Sequence, residues 1–186
     1  MLAKALEYAT EKHKGRKRKN SRADDYIMRP REVASIIGNV YTDEKILCAA
    51  LLHDTVDDTD ATYEDITKRF GPEVANIVAE VTDDKSLPKL ERKQLQVSTM
   101  ATKSLGARLV KIADKLSNTR ELKTDPPVGW TDIAINGYIA WSYAVCLEAM
   151  SPGDINPRLV KLVDEHFRLL MNFDYTSALD KYYGSL

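Results

Sequence analysis

Apolar residues recur at helical spacing along nearly the whole chain, and the alternating pattern of strands is almost absent. Leu2, Ala5, Leu6 and Ala9 form the stripe of a first helix, broken at Gly15 and a basic run. Asn20–Arg29 reads as a loop. Pro30 suits the first turn of a second helix through Val33, Ile36 and Ile37, stopped near Gly38–Asn39. Asp43 can cap a third helix, Ile46–Leu52, apolar almost all round and therefore expected at the centre. It runs straight into His53-Asp54-Thr55-Val56-Asp57-Asp58. Thr62-x-x-Asp65 resembles a capping signal for a short helix ending at Phe70-Gly71, and Pro72 opens the next. After a polar loop at Thr82–Pro88, helices are expected over Leu90–Lys103 and Ala107–Lys123. Asp125-Pro126-Pro127 is a break, a long helix follows from about Thr131 to Met150, and one or two helices close the chain from Pro157. The pattern predicts an all-α fold, a single domain over 1–186 with about eight to ten helices.

The length of 186 residues suits one domain with a real core. A net charge of −1 provides no global field toward nucleic acid or membrane, so no specific nucleic-acid binding is expected. Basic charge is local, in Lys12, Lys14, Arg16, Lys17, Arg18 and Lys19; it reads as a polyanion or nuclear-localisation patch, or as a substrate-binding segment. Cys48 and Cys146 read as buried free thiols, and no Cys/His spacing suggests structural zinc. No apolar run approaches the ~20 residues a bilayer needs, and the N-terminus lacks a secretory apolar region, so a cytoplasmic protein is expected. An oligomer is compatible with the sequence.

The chemistry sits in two blocks. Ionisable side chains leaving the end of the apolar helix at His53-Asp54 are costly to bury unless compensated, and a metal compensates them. Neighbouring helical residues diverge by ~100°, yet both can reach one ion beyond the helix end. Asp57 and Asp58 follow one turn later on the same faces. The bland alternative is a helix end carrying solvated acids. The second block is Lys111-Ile112-Ala113-Asp114-Lys115-Leu116-Ser117-Asn118, in which Asn118 shares a face with Asp114. Asp114 alone would be a surface residue or an ion-pair partner; beside the His-Asp dyad it reads as a distant metal ligand.

These two blocks, together with Val81–Lys93 and Gly129-Trp130, resemble the hydrolase domain of RelA/SpoT alarmone enzymes. The chain is most similar to the stand-alone small alarmone hydrolases of the metazoan SpoT-homologue type. The resemblance covers at least Ala9–Trp141. It implies an HD-type fold and a metal-dependent 3′-pyrophosphohydrolase that converts guanosine 3′,5′-bis(diphosphate), ppGpp, to GDP and pyrophosphate. A related nucleotide such as NADPH is an alternative substrate. The resemblance implies one Mn²⁺ held by two histidines and two aspartates, of which His53, Asp54 and Asp114 match three. It makes Asp57 and Asp58 the acidic pair that positions or activates water, where the family has Glu at the first. Arg18 and Lys19 match a basic pair on the purine and phosphates, and Asn118 a residue on the nucleoside side. Tyr138, Lys85, Arg92 and Lys93 stand where further substrate contacts fall.

One departure matters. The family's first metal histidine lies in Tyr-Ile-x-His-Pro, and this chain reads Tyr26-Ile27-Met28-Arg29-Pro30. Arg29 cannot be a ligand, because its guanidinium stays protonated. His13 matches a different family histidine, and Asp24 or Asp25 is offered as an oxygen ligand only by its proximity in sequence. The competing expectation is therefore a catalytically impaired relative that binds a nucleotide or a partner as a sensor.

Overall fold

The computed structural model describes residues 1–19 and 21–186. Among them the helical pattern becomes eleven α-helices and one 3-10 turn, with no strand beyond an isolated bridge between Lys17 and Asp25. The helices are α1 (Leu2–Lys12), α2 (Met28–Gly38), α3 (Glu44–Leu52), α4 (Thr55–Asp58), α5 (Tyr63–Phe70), α6 (Pro72–Val81), α7 (Lys89–Ser98), α8 (Leu105–Thr119), α9 (Asp132–Met150), α10 (Pro157–Leu170) and α11 (Tyr175–Gly184). Ten of these helices are longer than one turn, within the eight to ten expected; the eleventh element, α4, is a single turn that follows the end of α3.

The helix starts follow the local chemistry. The Asp43 carboxylate accepts from the backbone N–H groups of Lys45 and Ile46, and the Thr62 hydroxyl accepts from Asp65. Ser104, Thr131, Asn156 and Asp174 cap α8, α9, α10 and α11 in the same way. Pro72 and Pro157 occupy first turns, where a missing N–H costs nothing. Gly71, at φ 91°, makes the tight junction between α5 and α6.

Three helices differ in their bounds from the sequence pattern. Because Ser104 supplies its cap, α8 starts at Leu105 rather than Ala107, and it ends at Thr119 rather than Lys123. The helix expected over Leu90–Lys103 is cut at Thr99 into α7 and a 3-10 turn, Met100–Thr102, which drives Met100 fully into the core. The expected loop Asn20–Arg29 is shorter than predicted: its first residue lies outside the described residues, and α2 already begins at Met28.

The core has two lobes. The larger gathers apolar side chains of α2, α8, α9 and α10, including Ile37, Ile112, Ile139, Trp141 and Phe167. The smaller joins α1, α3, α5 and α6 around Leu52, Ile66 and Val74. Helix α3 contributes to both, as its all-round apolar character predicts. Helix α8 is more deeply enclosed still, with every residue from Gly106 to Ser117 buried. Asp114, Lys111 and Lys115 are thereby taken out of water together, and each needs a compensating partner. Both cysteines are buried free thiols. No helix among the described residues is long and apolar enough to cross a membrane.

Candidate active site

The end of α3 aims its polar residues inward. His53 donates its Nδ1 hydrogen to the carbonyl of Ala50, 2.7 Å away, one turn back. That bond leaves Nε2 as the outward nitrogen. It is buried without a hydrogen-bond partner and stands 3.2 Å from Asp54 Oδ2 and 3.6 Å from Asp114 Oδ1. The imidazole and the two acids thus meet around one point. Burial alone would keep the imidazole neutral, but the Asp54 and Asp114 carboxylates push its pKa up to about 9.

A fourth group shares that point. Arg29, on the first turn of α2, directs Nη2 to Asp114 Oδ1 at 2.7 Å and to Asp54 Oδ2 at 3.5 Å. Tyr26 completes the arrangement: its hydroxyl donates to Asp54 Oδ2 (2.7 Å) and accepts from Arg29 Nη1 (3.1 Å). Asn118 Nδ2 adds a second donor to Asp114 Oδ1 at 2.9 Å, and Lys115 Nζ approaches Asp114 Oδ2 at 3.1 Å. Burial would raise both carboxyl pKa values. Arg29 and His53 hold Asp54, and Lys115, Arg29 and His53 hold Asp114, below the usual carboxylate range instead.

A divalent ion would need the lone pairs that these donors occupy. A carboxylate oxygen offers two, and both on Asp114 Oδ1 are filled, by Arg29 and Asn118. Among the described residues no group of three or more His, Cys, Asp or Glu side chains is arranged to hold a metal ion. As the side chains stand, His53, Asp54 and Asp114 do not fit a divalent cation in the presence of Arg29. Asp24 and Asp25 do not make up the set, since they pair with Arg22 and Lys17 in the preceding loop.

Next to this cluster lies a cleft of about 330 Å³. It is lined by the basic stretch Arg16, Lys17, Arg18 and Lys19 and by Pro127, Trp130 and Tyr138; Asp58 and Asn118 also line it. Tyr26 and Arg29 line it too, so the cleft reaches the His-Asp cluster. The Tyr26 ring lies beneath the Arg16 and Arg29 guanidinium groups, 5.3 and 5.6 Å from its centroid, and packs against the buried His13 ring. Arg16 also bonds the Asp58 carbonyl and lies 3.4 Å from its carboxylate.

Of the residues named from sequence, the cleft therefore collects Arg18, Lys19, Asp58, Asn118 and Tyr138. Lys85 does not line it; its ammonium pairs with Asp57, 3.0 Å away, near the surface. Arg92 lines a separate hollow of about 190 Å³ with Asp83 and Gln96. Lys93 lies behind the cleft, with its ammonium 3.2 Å from the centre of the Trp141 ring and 4.7 Å from that of Tyr138. Lys115 approaches the same Trp141 ring at 4.3 Å. Burial, reinforced by Lys115, pushes the pKa of Lys93 down to about 6 and that of Lys111 to about 8. Tyr26 and Arg16 were missed as site residues. Tyr26 lies just before α2, where no helix-face spacing applies; the available signal was its place in the Tyr26-Ile27-Met28-Arg29-Pro30 segment.

Comparison with known proteins gives the family. Residues 5–137 match the HD domain family. The chain is 44% identical over 165 residues to the guanosine-3′,5′-bis(diphosphate) 3′-pyrophosphohydrolase MESH1 of Drosophila melanogaster, covering 88% of this chain and 90% of the relative. It is 46% identical over 146 residues to the human protein of the same name, covering 77% and 82%. Among solved structures it is similar to a metazoan ortholog of SpoT that hydrolyzes ppGpp and plays a role in starvation responses. There the TM-score is 0.86 at 41% identity, over 92% of this chain and 96% of that one.

Proposed function

Because the chain belongs to the HD domain family, and within it to the MESH1-type guanosine-3′,5′-bis(diphosphate) 3′-pyrophosphohydrolases, we propose that it binds ppGpp in the cleft beside Asp54 and Asp114 and removes the 3′-diphosphate. The observation that carries this reading is the cleft's composition: four consecutive basic residues and the rings of Tyr26, Trp130 and Tyr138 line it, and its lining residue Arg29 pairs with the buried acids Asp54 and Asp114. Lysine and arginine suit the diphosphates, and flat aromatic and guanidinium faces suit a purine.

In this reading Arg18 and Lys19 hold phosphate, while Trp130 and Tyr138 flank the nucleoside. Asn118, fixed by its bond to Asp114, contacts the ribose side. Asp58 is the carboxylate that faces the cleft, so it orients the attacking water and takes its proton. Water attacks the phosphorus bound to the ribose 3′-oxygen, the P–O bond to that oxygen breaks, and pyrophosphate leaves as the 3′-oxygen takes a proton from solvent. Arg29 and Lys115 offset charge that develops on the phosphoryl oxygens. Asp57, paired with Lys85, supports the turn rather than the water.

One observation favours a second reading, in which the cleft binds nucleotide without turnover and serves as a sensor: Arg29 stands between the acids. Both are tested by measuring ppGpp turnover and ppGpp affinity for the purified protein, with and without Mn²⁺, with NADPH as a parallel substrate. Turnover that falls by roughly 10²–10⁴ in Asp58→Asn while affinity holds is the expected result. Affinity without turnover selects the sensor, and absence of both removes the nucleotide reading altogether.

A further inference from the structure

We infer that Arg29 is the resident cation of this site and stands where a divalent ion would otherwise sit, so that the chain binds no metal at His53, Asp54 and Asp114. Two carboxylates and an imidazole nitrogen that meet in a buried space demand a positive charge between them. That charge is supplied from within the chain. Nη2 of Arg29 lies 2.7 Å from Asp114 Oδ1 and 3.5 Å from Asp54 Oδ2, the same two oxygens that stand nearest His53 Nε2.

The guanidinium is held rather than merely nearby. Tyr26 accepts from its Nη1 and passes its own hydrogen to Asp54, which closes a ring of Arg29, Tyr26 and Asp54, and Nη2 also holds Asp114. It also cannot withdraw by losing a proton, because arginine stays charged at any pH at which the protein is folded. With Lys115 beside Asp114, the two acids already face two fixed positive side chains. A divalent ion would add two more charges where Arg29 and Lys115 already match the two acids, and it would have to displace Arg29 and Asn118 from Asp114 Oδ1.

This changes what an incoming ligand meets. If the cleft takes a nucleotide diphosphate, as proposed above, the phosphate nearest the acids meets a planar fork of N–H donors instead of a metal. Nucleotide affinity then requires no divalent ion. Only this consequence rests on the nucleotide reading; the absence of metal binding does not.

The test counts metal directly. The parent protein and its Arg29→His and Asp114→Asn variants are incubated with Mn²⁺, desalted and analysed by mass spectrometry for bound manganese, with circular dichroism to confirm folding. The parent is expected to retain essentially none, and Arg29→His about one equivalent, an occupancy at least ~10-fold higher. One equivalent in the parent that disappears in Asp114→Asn overturns the inference, as does a folded Arg29→His protein that takes up no manganese. Should Arg29→His fail to fold, the parent's own count against Asp114→Asn decides. Calorimetric titration of the parent with ppGpp in metal-free buffer is read separately. A failure to bind there strikes the nucleotide reading and leaves the metal count standing.

Discussion

His53 and His166 carry the same ring into opposite charge states. His53 faces two carboxylates, which push its pKa up to about 9 against the effect of burial. His166 on α10 is half-buried, and its Nε2 lies 2.7 Å from the Thr119 hydroxyl. Burial, reinforced by Arg120, pushes its pKa down to about 4. The unfolded chain then binds a proton at this site below about 6.5, while the folded chain does not until about 4. Its contribution to stability is present above pH 6.5 and is lost as pH falls toward 4. Replacing His166 with Gln, which keeps a donor for Thr119 but cannot titrate, is expected to flatten the fall in stability over that window. Urea denaturation at pH 4.5, 5.5 and 7 reads the effect. An equally steep pH dependence in the variant would mean that the acid sensitivity arises elsewhere.

At the scale of elements, the site depends on α8 and α9 lying close together. Helix α8 carries Asp114, Lys115 and Asn118, and α9 backs them with Tyr138 and Trp141. Trp141 is almost wholly buried and donates from its indole N–H to the Lys93 carbonyl at 2.9 Å, tying α7 to α9. On its other side α9 is approached by α11, and the approach is set by Gly137. A Cβ there would lie 2.2 Å from the Tyr182 Cβ, far inside contact distance. Gly137→Ala is therefore expected to cost about 1–3 kcal/mol, because Tyr182 is a packed core residue and must move. Thermal melting measures this, and a Tyr182→Gly background, which removes the Cβ as well as the ring, provides the control. In that background the Gly137→Ala cost should shrink, since the two positions are in contact and their effects are not additive. Equal costs in both backgrounds would place the strain somewhere other than this helix pair.

For the whole molecule, the cleft joins segments from distant parts of the chain: the basic stretch after α1, the start of α2, the turn α4, the end of α8 and the 121–130 loop before α9. A ligand held by all of them should tie the fold together. At 100-fold excess over Kd, binding to the folded state alone adds about 2.7 kcal/mol. For a chain of this size that corresponds to a rise in Tm of roughly 5–10 °C. ppGpp is expected to produce such a rise in the parent and a much smaller one in an Arg18→Ala/Lys19→Ala variant, whose own unliganded Tm should be unchanged because both side chains face the cleft rather than the core. Differential scanning fluorimetry settles it, and equal shifts in the two proteins would show that the basic stretch does not hold the ligand.

Much of the fold was legible in the amino-acid order, because helix periodicity and capping act between residues a turn apart. The caps at Asp43 and Thr62, the proline starts at Pro72 and Pro157 and the central place of α3 all follow from local rules. The His53-Asp54 dyad and Asp114 were readable as a cluster because polar groups at the inner end of apolar helices need a shared partner. Which partner they share was decided only in three dimensions. Arg29 and Asp114 lie 85 positions apart in the chain and meet because α2 and α8 pack side by side. Likewise, nothing local distinguishes Lys85, turned out to Asp57, from Lys93, buried against Trp141. Charge and residue type are written into the sequence, but the distance between charges comes from packing, and that distance determines which cation the two acids hold.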